Sequence, residues 1–390
     1  MKSVKEAKDL YAEAFGKERG VEGFFSHGRL ELIGNHTDHN GGLCLVAAAS
    51  LGITAAVKPN KDDCIRIASK GYRPFSFYLD ELKLREGEEG TSIALTKGVL
   101  SIMKECGFNI GGFSAAMVSD IAAGSGVSSS AAFSILIAQL ENEYYNDGEI
   151  DPMTLSRIAK AAENEYFGKP SGMLDQIGSS YGGVNFLDFS GDLPTVEPVK
   201  WSLPLDLVLI NTGSSHADLT PLYASIRDDM SCVARNMFRA DRLCEASRDD
   251  FLKAVSHHYE AISESAKLRA QHFYDENERV KAARKALEEQ DEVSFLNCIR
   301  QGQISQQTML KNTMVPGVYE RSPQQCVDLA SKFIGKGAAR AMGGGFGGSV
   351  LCFVYPDEKK AFMEAMASYY GAENIIPLTI PTTGPCRVEE

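Results

Sequence analysis

The sequence predicts an α+β protein of two lobes, residues 1–200 and 201–390, with ligands in the cleft between them. Two observations carry this. Up to about residue 210, short apolar, strand-like runs alternate with helical stretches; from about Pro221 the pattern changes to four long polar–apolar helical segments covering roughly 220–312. The chain has 390 residues, enough for two domains that each bury a core.

The elements follow from local pattern. Val4, Ala7, Leu10, Tyr11 and Phe15 recur at helical spacing and predict a helix over 3–19. Strand-like runs come next at 28–34, 43–58, 64–68 and 75–79, then a helix over 91–106 and a strand over 113–121. A Gly/Ser run, 124–130, opens an apolar helix that continues to about Tyr145, and Asp151 is placed to cap a helix over 152–167. Strands are predicted at 182–189 and 205–210. Beyond the four helical segments, Pro316 and Gly317 mark a break before a helix near 322–334. A glycine cluster inside 338–355 separates two strand-like pieces, and a helix over 357–370 and a strand over 375–380 close the chain.

Bulk chemistry narrows the function classes. The formal charge is −12, and no basic cluster runs longer than Lys359-Lys360, so nucleic acid is not expected as a partner. No stretch of about 18 apolar residues is present, so no membrane partner is expected either. Nine scattered cysteines form no CxxC pair and read as free thiols in a reducing compartment. The amino terminus opens an amphipathic helix rather than an apolar signal segment. The expected location is the cytoplasm.

Three segments carry chemistry. The first, Gly28 to Gly42, packs Arg29, Asn35, His36, Asp38 and Asn40 into a turn-prone stretch after a strand. It reads either as a surface turn or as a polar-ligand site whose short side chains can serve several hydroxyls of a polyol at once. The second, Ala122 to Ala132, sets Gly124, Ser125, Gly126, Ser128, Ser129 and Ser130 between a strand and a helix. Backbone amides and the positive end of the helix there favour phosphate, although serine is also an ordinary helix cap. The loop is not a Walker A motif, because its end carries no lysine. The third, Ala339 to Ser349, has five glycines in the six positions from Gly343 to Gly348. Alone, it reads as a wide hairpin turn.

In this order and spacing the three segments resemble the signature motifs of the GHMP kinase superfamily, and the first resembles the galactokinase signature. The closing Pro381-Thr382-Thr383-Gly384-Pro385 is similar to that family's carboxyl end. The resemblance implies the two-lobed GHMP kinase fold, with a ribosomal S5-like N-terminal lobe and a helix-rich α+β C-terminal lobe. It implies an enzyme using ATP and Mg²⁺ to phosphorylate the anomeric hydroxyl of galactose or a close galactose-like sugar. ATP would lie on Gly124, Ser125, Gly126, Ser128, Ser129 and Ser130. Two acidic positions of the family fall on Glu163 and, twelve residues on, Asp175. Glu163 then becomes a magnesium ligand with Ser130, Asp175 the base on the anomeric hydroxyl, and Arg29 the cation that keeps Asp175 ionised. Asn35, His36, Asp38, Gly172 and Tyr223 become sugar contacts, with His216 and Tyr223 matching a His/Tyr pair of the family.

The sequence also departs from the family wording. Asn35 stands where the family has the Glu that accepts from the sugar's C6 hydroxyl, and His39 stands for Tyr. A neutral amide tolerates a carboxylate at C6, so galacturonate or another C6-modified sugar is the alternative substrate. Ala122 replaces Pro, Val127 replaces Leu and Ser171 replaces Cys, none of which removes a group that the chemistry needs. The only tryptophan, Trp201, lies outside the helix over 91–106, which leaves the adenine contacts unassigned. A non-catalytic sugar- and ATP-binding regulator of the same family is the alternative of another class. The retained Ser128, Ser129, Ser130, Arg29 and Asp175 favour the enzyme.

Overall fold

The computed structural model describes residues 4–122, 124–169, 171–214, 219–256 and 262–389, leaving aside the side chain of Thr220. The first part of the chain runs α1 (Val4–Phe15), β1 (Glu22–Ile33), β2 (Leu43–Pro59), β3 (Cys64–Ser69), β4 (Phe75–Tyr78), α2 (Ser92–Glu105), β5 (Phe113–Ser119), α3 (Ser129–Tyr145), α4 (Pro152–Glu165), α5 (Leu174–Ser180), β6 (Val184–Asp188) and β7 (Thr195–Val199). The second part adds β8 (Asp206–Asn211), α6 (Thr220–Val233), α7 (Arg248–Val255), α8 (Glu264–Glu289), α9 (Glu292–Ser305), α10 (Pro323–Ala330), β9 (Ala338–Ala341), β10 (Ser349–Val354), α11 (Pro356–Tyr370), β11 (Ile375–Leu378) and β12 (Cys386–Val388). The predicted Asp151 cap forms, accepting from the Met153 and Thr154 amides, and Thr91 caps α2 by accepting from the Ala94 amide.

The longest strand organises the first sheet. β2 pairs with β1 along one edge; along the other, residues 43–47 pair with β6 and residues 53–59 with β5. Its residues are apolar almost throughout, because both faces are covered. Cys44 and Val46 pack on Met173, Leu174 and Ile177 around α5, and Ala56 packs on Ala7 and Tyr11 of α1. Leu45, Ala47, Ala55 and Val57 alternate to the opposite face and enter the main core. β3 runs parallel to β5, and the remaining pairings of this eight-stranded sheet are antiparallel.

The second sheet has four antiparallel strands in the order β11-β8-β10-β9. Val208, Ile210, Val350 and Cys352 face α10 and α11, while Leu207, Leu209, Leu351 and Phe353 join the main core with Phe295 and Ile299 of α9. One apolar core is therefore continuous between the two sheets. The sequence pattern did not disclose α5, β7 or β12. The last is informative, because it leaves the second lobe and pairs with β1 of the first sheet. Only three residues long, it carries too little periodicity to be read as a strand.

A buried ion pair also joins the lobes. Arg340 of β9 is fully buried, with Nη2 3.0 Å from Glu31 of β1 and Nη1 donating to the Leu32 carbonyl at 2.6 Å. Burial pushes the Glu31 carboxyl up, and the Arg340 and Arg29 charges only partly oppose this. Removing one partner of such a pair costs about 3–5 kcal/mol when the other charge is stranded. Arg340→Met is therefore expected to lower the urea midpoint strongly near neutral pH. The loss should shrink at acidic pH, where Glu31 can take up a proton, and unfolding curves at two pH values check both statements.

Candidate active site

The segment after β1 folds back on β2 and is pinned from several directions. Gly34 has φ +112°, and a Cβ there would lie 2.6 Å from the Leu43 carbonyl oxygen, so only glycine fits the reversal. Thr37 Oγ1 bonds the Gly34 and Leu43 carbonyls at 2.9 and 2.8 Å. Glu276 of α8 accepts from the amides of Gly34 (3.0 Å) and Asn35 (3.3 Å), and His272 Nε2 lies 2.9 Å from the Asn35 carbonyl oxygen.

This anchoring fixes the predicted sugar-side residues. Asn35 is 1% exposed; its amide donates to Glu31 at 2.9 Å and to the Gly343 carbonyl, and accepts from Asn312 Nδ2 at 2.8 Å. His36 sits at φ 59° with Nε2 3.0 Å from the Gly344 carbonyl oxygen, and burial lowers it to about 4, so the ring is neutral at physiological pH. Asp38 abuts Gly172 so closely that a Cβ at 172 would lie 2.1 Å from its Oδ2. Burial, with repulsion from Asp175 and Glu31, raises Asp38 to about 6.

The Gly/Ser loop lies directly across β1. A Cβ on Gly28 would stand 2.6 Å from Val127 Cγ1, and the Arg29 amide donates to the Val127 carbonyl at 3.0 Å. Gly124 and Gly126 take positive φ, and Ser128 occupies the cap position of α3 at φ 60°, ψ 67°, a strained setting for serine. Its hydroxyl makes no cap bond and instead donates to Asp175 Oδ2 at 2.6 Å. The capping explanation of this serine therefore does not apply. Ser125 is 2% exposed and its Oγ has no partner among the described residues.

Asp175 sits in the first turn of α5, 2.8 Å from Arg29 Nε, while Arg29 Nη1 reaches the Gly126 carbonyl. Burial would raise Asp175, but the Arg29 and Lys169 charges and the bonds from Ser128 and Arg29 outweigh it and hold the carboxyl below its ordinary range. Glu163, at the end of α4, is buried and accepts from Ser130 (2.6 Å), Lys169 (3.0 Å), Ser171 (2.7 Å) and Gln176 (2.6 Å).

The glycine turn after β9 closes the site from the second lobe. A Cβ on Gly343 would lie 3.5 Å from Arg29 Nη2 and 3.6 Å from the Gly126 oxygen; one on Gly344 would lie 2.5 Å from Tyr223 Cε1. Tyr223 Oη donates to the Gly345 carbonyl at 3.2 Å, and its ring meets Phe346 edge-on. This turn is thus a close approach of backbone to the other two segments.

A cavity of about 1330 Å³ opens among the three segments. Arg29, Asn35, His36, Asp38, Gly124, Ser125, Gly126, Ser128, Ser129, Ser130, Gly172, Asp175 and Tyr223 all line it, and Glu163 stands behind the wall, in contact with Ser130. His216 lies outside the described residues. Ile102, Phe108, Ile121 and Ile158 also border the cavity with apolar side chains. Sequence reasoning missed Glu276 and Asn312, whose partners are distant in the chain and leave no local pattern, and also Lys169, although its partner Glu163 is only six residues away. Arg227 was also missed, although its i, i+4 spacing from Tyr223 on one helix face was available.

Among the described residues, no three His, Cys, Asp or Glu side chains gather to hold a metal alone. A buried carboxylate beside a hydroxyl, Glu163 with Ser130, fits a hard cation that keeps waters and phosphate oxygens as its other ligands. Among the described residues, no helix is long and apolar enough to cross a membrane.

Comparison with known proteins agrees with this geometry. Residues 9–59 match the galactokinase galactose-binding signature, 94–183 the GHMP kinases N terminal domain and 283–372 the GHMP kinases C terminal domain. A galactokinase of Lactococcus lactis is 29% identical over 373 residues, covering 93% of this chain and 90% of the relative. One of Streptococcus suis is 29% identical, covering 94% and 93%. The crystal structure of Lactococcus lactis galactokinase complexed with galactose superposes with a TM-score of 0.84 at 26% identity, covering 99% of this chain and all of that one. Methanococcus jannaschii mevalonate kinase, at 15% identity and a TM-score of 0.66 over 93% of this chain and 99% of its own, shares the fold. With its two α+β lobes in the GHMP kinase arrangement, the chain belongs to the galactokinase family of the GHMP kinase superfamily.

Proposed function

We infer that the chain transfers the γ-phosphoryl group of ATP to the anomeric hydroxyl of galactose or a close galactose-like sugar. The observation that carries this reading is the setting of Asp175, a carboxylate between Arg29 and Ser128 that faces the cavity beside the amino terminus of α3. Polyphosphate oxygens are well served at that terminus, where first-turn amides lack intrahelical partners and the helix dipole is positive. The apolar border at Ile102, Phe108, Ile121 and Ile158 offers a place for the adenine.

Phosphoryl transfer asks the protein mainly for alignment and charge compensation. Asp175, kept ionised, orients the C1 hydroxyl and accepts its proton as the oxygen–phosphorus bond forms. Arg29 fixes that carboxylate and holds positive charge next to the reacting groups. Asp38 and His36 present polar atoms to the sugar, and Gly172 leaves room for Asp38. Ser130 and Glu163 would hold Mg²⁺, which when bound would neutralise phosphate charge. Nine free cysteines and a nucleotide substrate accord with a cytoplasmic enzyme.

Galactose is preferred over a C6 acid. The Asn35 amide is already engaged by Glu31, Gly343 and Asn312, so its neutrality does not by itself create a carboxylate site. A panel of hexoses and uronates, assayed for ATP-dependent 1-phosphate formation, tests the reading. Galactose should lead, and a lead for galacturonate, or no 1-phosphate from any sugar, would overturn it.

Asp175→Ala and Arg29→Ala should each lower kcat by about 100-fold or more while nucleotide still binds. Single-turnover assays beside calorimetric binding check this. Because Asp38 carries its charge only above about pH 6, kcat/KM for the sugar should fall as pH drops through that value. Asp38→Asn should remove that limb of the pH profile along with most of the sugar affinity.

A further inference from the structure

We propose that Lys169 is a ligand of the nucleotide's β- and γ-phosphates, supplying from the α4–α5 connection the cation that the Gly/Ser loop lacks. The proposal rests on the kinase reading above. Residues 124–130 contain no lysine or arginine, so amides and hydroxyls alone would face a polyphosphate from that side. Arg29 does not fill the gap, since its Nε is committed to Asp175 and its Nη1 to the Gly126 carbonyl.

Lys169 is placed to do so. Its Nζ stands 3.0 Å from Glu163 Oε1, the same oxygen that accepts from Ser130 Oγ at 2.6 Å. One shared oxygen therefore sets the ammonium beside the first turn of α3, where phosphate is favoured on helix-dipole grounds. The backbone enforces the position. Tyr166 and Phe167 both close on the Ala162 carbonyl, Gly168 turns the chain at φ 79°, and the Lys169 amide returns to the Glu163 carbonyl at 3.1 Å. Lys169 lines the cavity with its side chain 49% exposed, whereas Glu163 is 1% exposed. An ammonium has three donors, and the bond to Glu163 uses one of them. The others are available to an anion entering the cavity. The same charge helps to hold Asp175 ionised, so one side chain serves both the donor phosphate and the acceptor's base.

A purely structural Lys169 would be a counter-ion for Glu163 and for the carboxyl end of α4. The two roles separate by ligand. Calorimetry with ATP and with AMP, each with and without Mg²⁺, compares nucleotides that share adenosine and the α-phosphate and differ in the β and γ groups. In Lys169→Met the Kd for ATP should rise about 10- to 100-fold, as expected for loss of a charge-assisted hydrogen bond, with the Kd for AMP unchanged. Lys169→Arg should recover most of the ATP affinity. Lys169→Gln, which can still bond Glu163, should behave as Lys169→Met in ATP binding while retaining the wild-type unfolding midpoint. An ATP Kd within twofold of wild type in the Met and Gln variants would overturn the proposal, as would an equal loss for AMP. If the wild-type chain phosphorylates no sugar, the functional reading falls, but the ATP-to-AMP comparison still decides the role of Lys169.

Discussion

The Arg29 guanidinium lies where three distant stretches of the chain meet, and the geometry of the site depends on it. Its Nε binds Asp175 on α5, its Nη1 reaches the Gly126 carbonyl in the Gly/Ser loop, and its own amide donates to the Val127 carbonyl. Nη2 faces the glycine turn of the second lobe, where a Cβ on Gly343 would lie 3.5 Å away, at van der Waals contact. A planar cation with donors in a fixed fork can hold several acceptors at set angles, which a lysine cannot. The strand beneath it must be equally constrained. Gly28 and Gly178 lack side chains where loop and helix come within 2.6 Å of a hypothetical Cβ, so β1 can carry Arg29 into the site without pushing its partners away.

Around this centre the second lobe holds the first lobe's polar loop in place. Glu276, His272, Asn312 and Arg340 all come from beyond residue 270, and each bonds to the segment between Glu31 and Asn35. Buried polar groups cost desolvation unless paired, so this network adds little net stability but penalises any other arrangement. The outcome is a loop whose Asn35 is spent on the protein and whose Asp38 remains beside the cavity, pressed against Gly172. β12 works in the same direction, returning the chain end to β1 so that the two lobes share strand pairing as well as core.

The fold was legible where period and caps are strong. α4 begins at the cap read from Asp151, and β2 spans its apolar run from Leu43 to Pro59. The short α5, which carries Asp175, was not legible, because seven residues hold barely two turns of periodicity. In the site, the run Ser128-Ser129-Ser130 stood out because three consecutive serines exceed what capping needs, whereas the glycine cluster alone reads as a turn and gains meaning only from the order and spacing of the three segments. Ser128 illustrates the limit of that reading: its position at a helix start suggested a cap, yet tertiary contact with Asp175 claims the hydroxyl. Glu276 acts on Gly34, 242 residues away in the chain, and single-sequence patterns contain no trace of such a pairing.

Electrostatics poses the remaining question, how a chain of net charge −12 attracts a polyanion. The answer is local. At physiological ionic strength charges farther than about 8 Å are largely screened, so what a nucleotide meets is the cavity wall rather than the whole molecule. That wall contains the cations Arg29, Arg157, Lys160, Lys169, Arg227 and Arg242 against the acids Glu31, Asp38, Glu165, Asp175 and Asp192. The wall is close to neutral, with cations slightly in excess, while the acidic surplus lies elsewhere on the surface. Within it two carboxylates are paired, Glu31 with Arg340 and Asp175 with Arg29, while Asp38 still feels the charge of both. Pairing Asp175 with a fixed cation lets the cavity keep this carboxylate ionised and still present a wall that can admit phosphate, two demands that an unpaired carboxylate could not meet together.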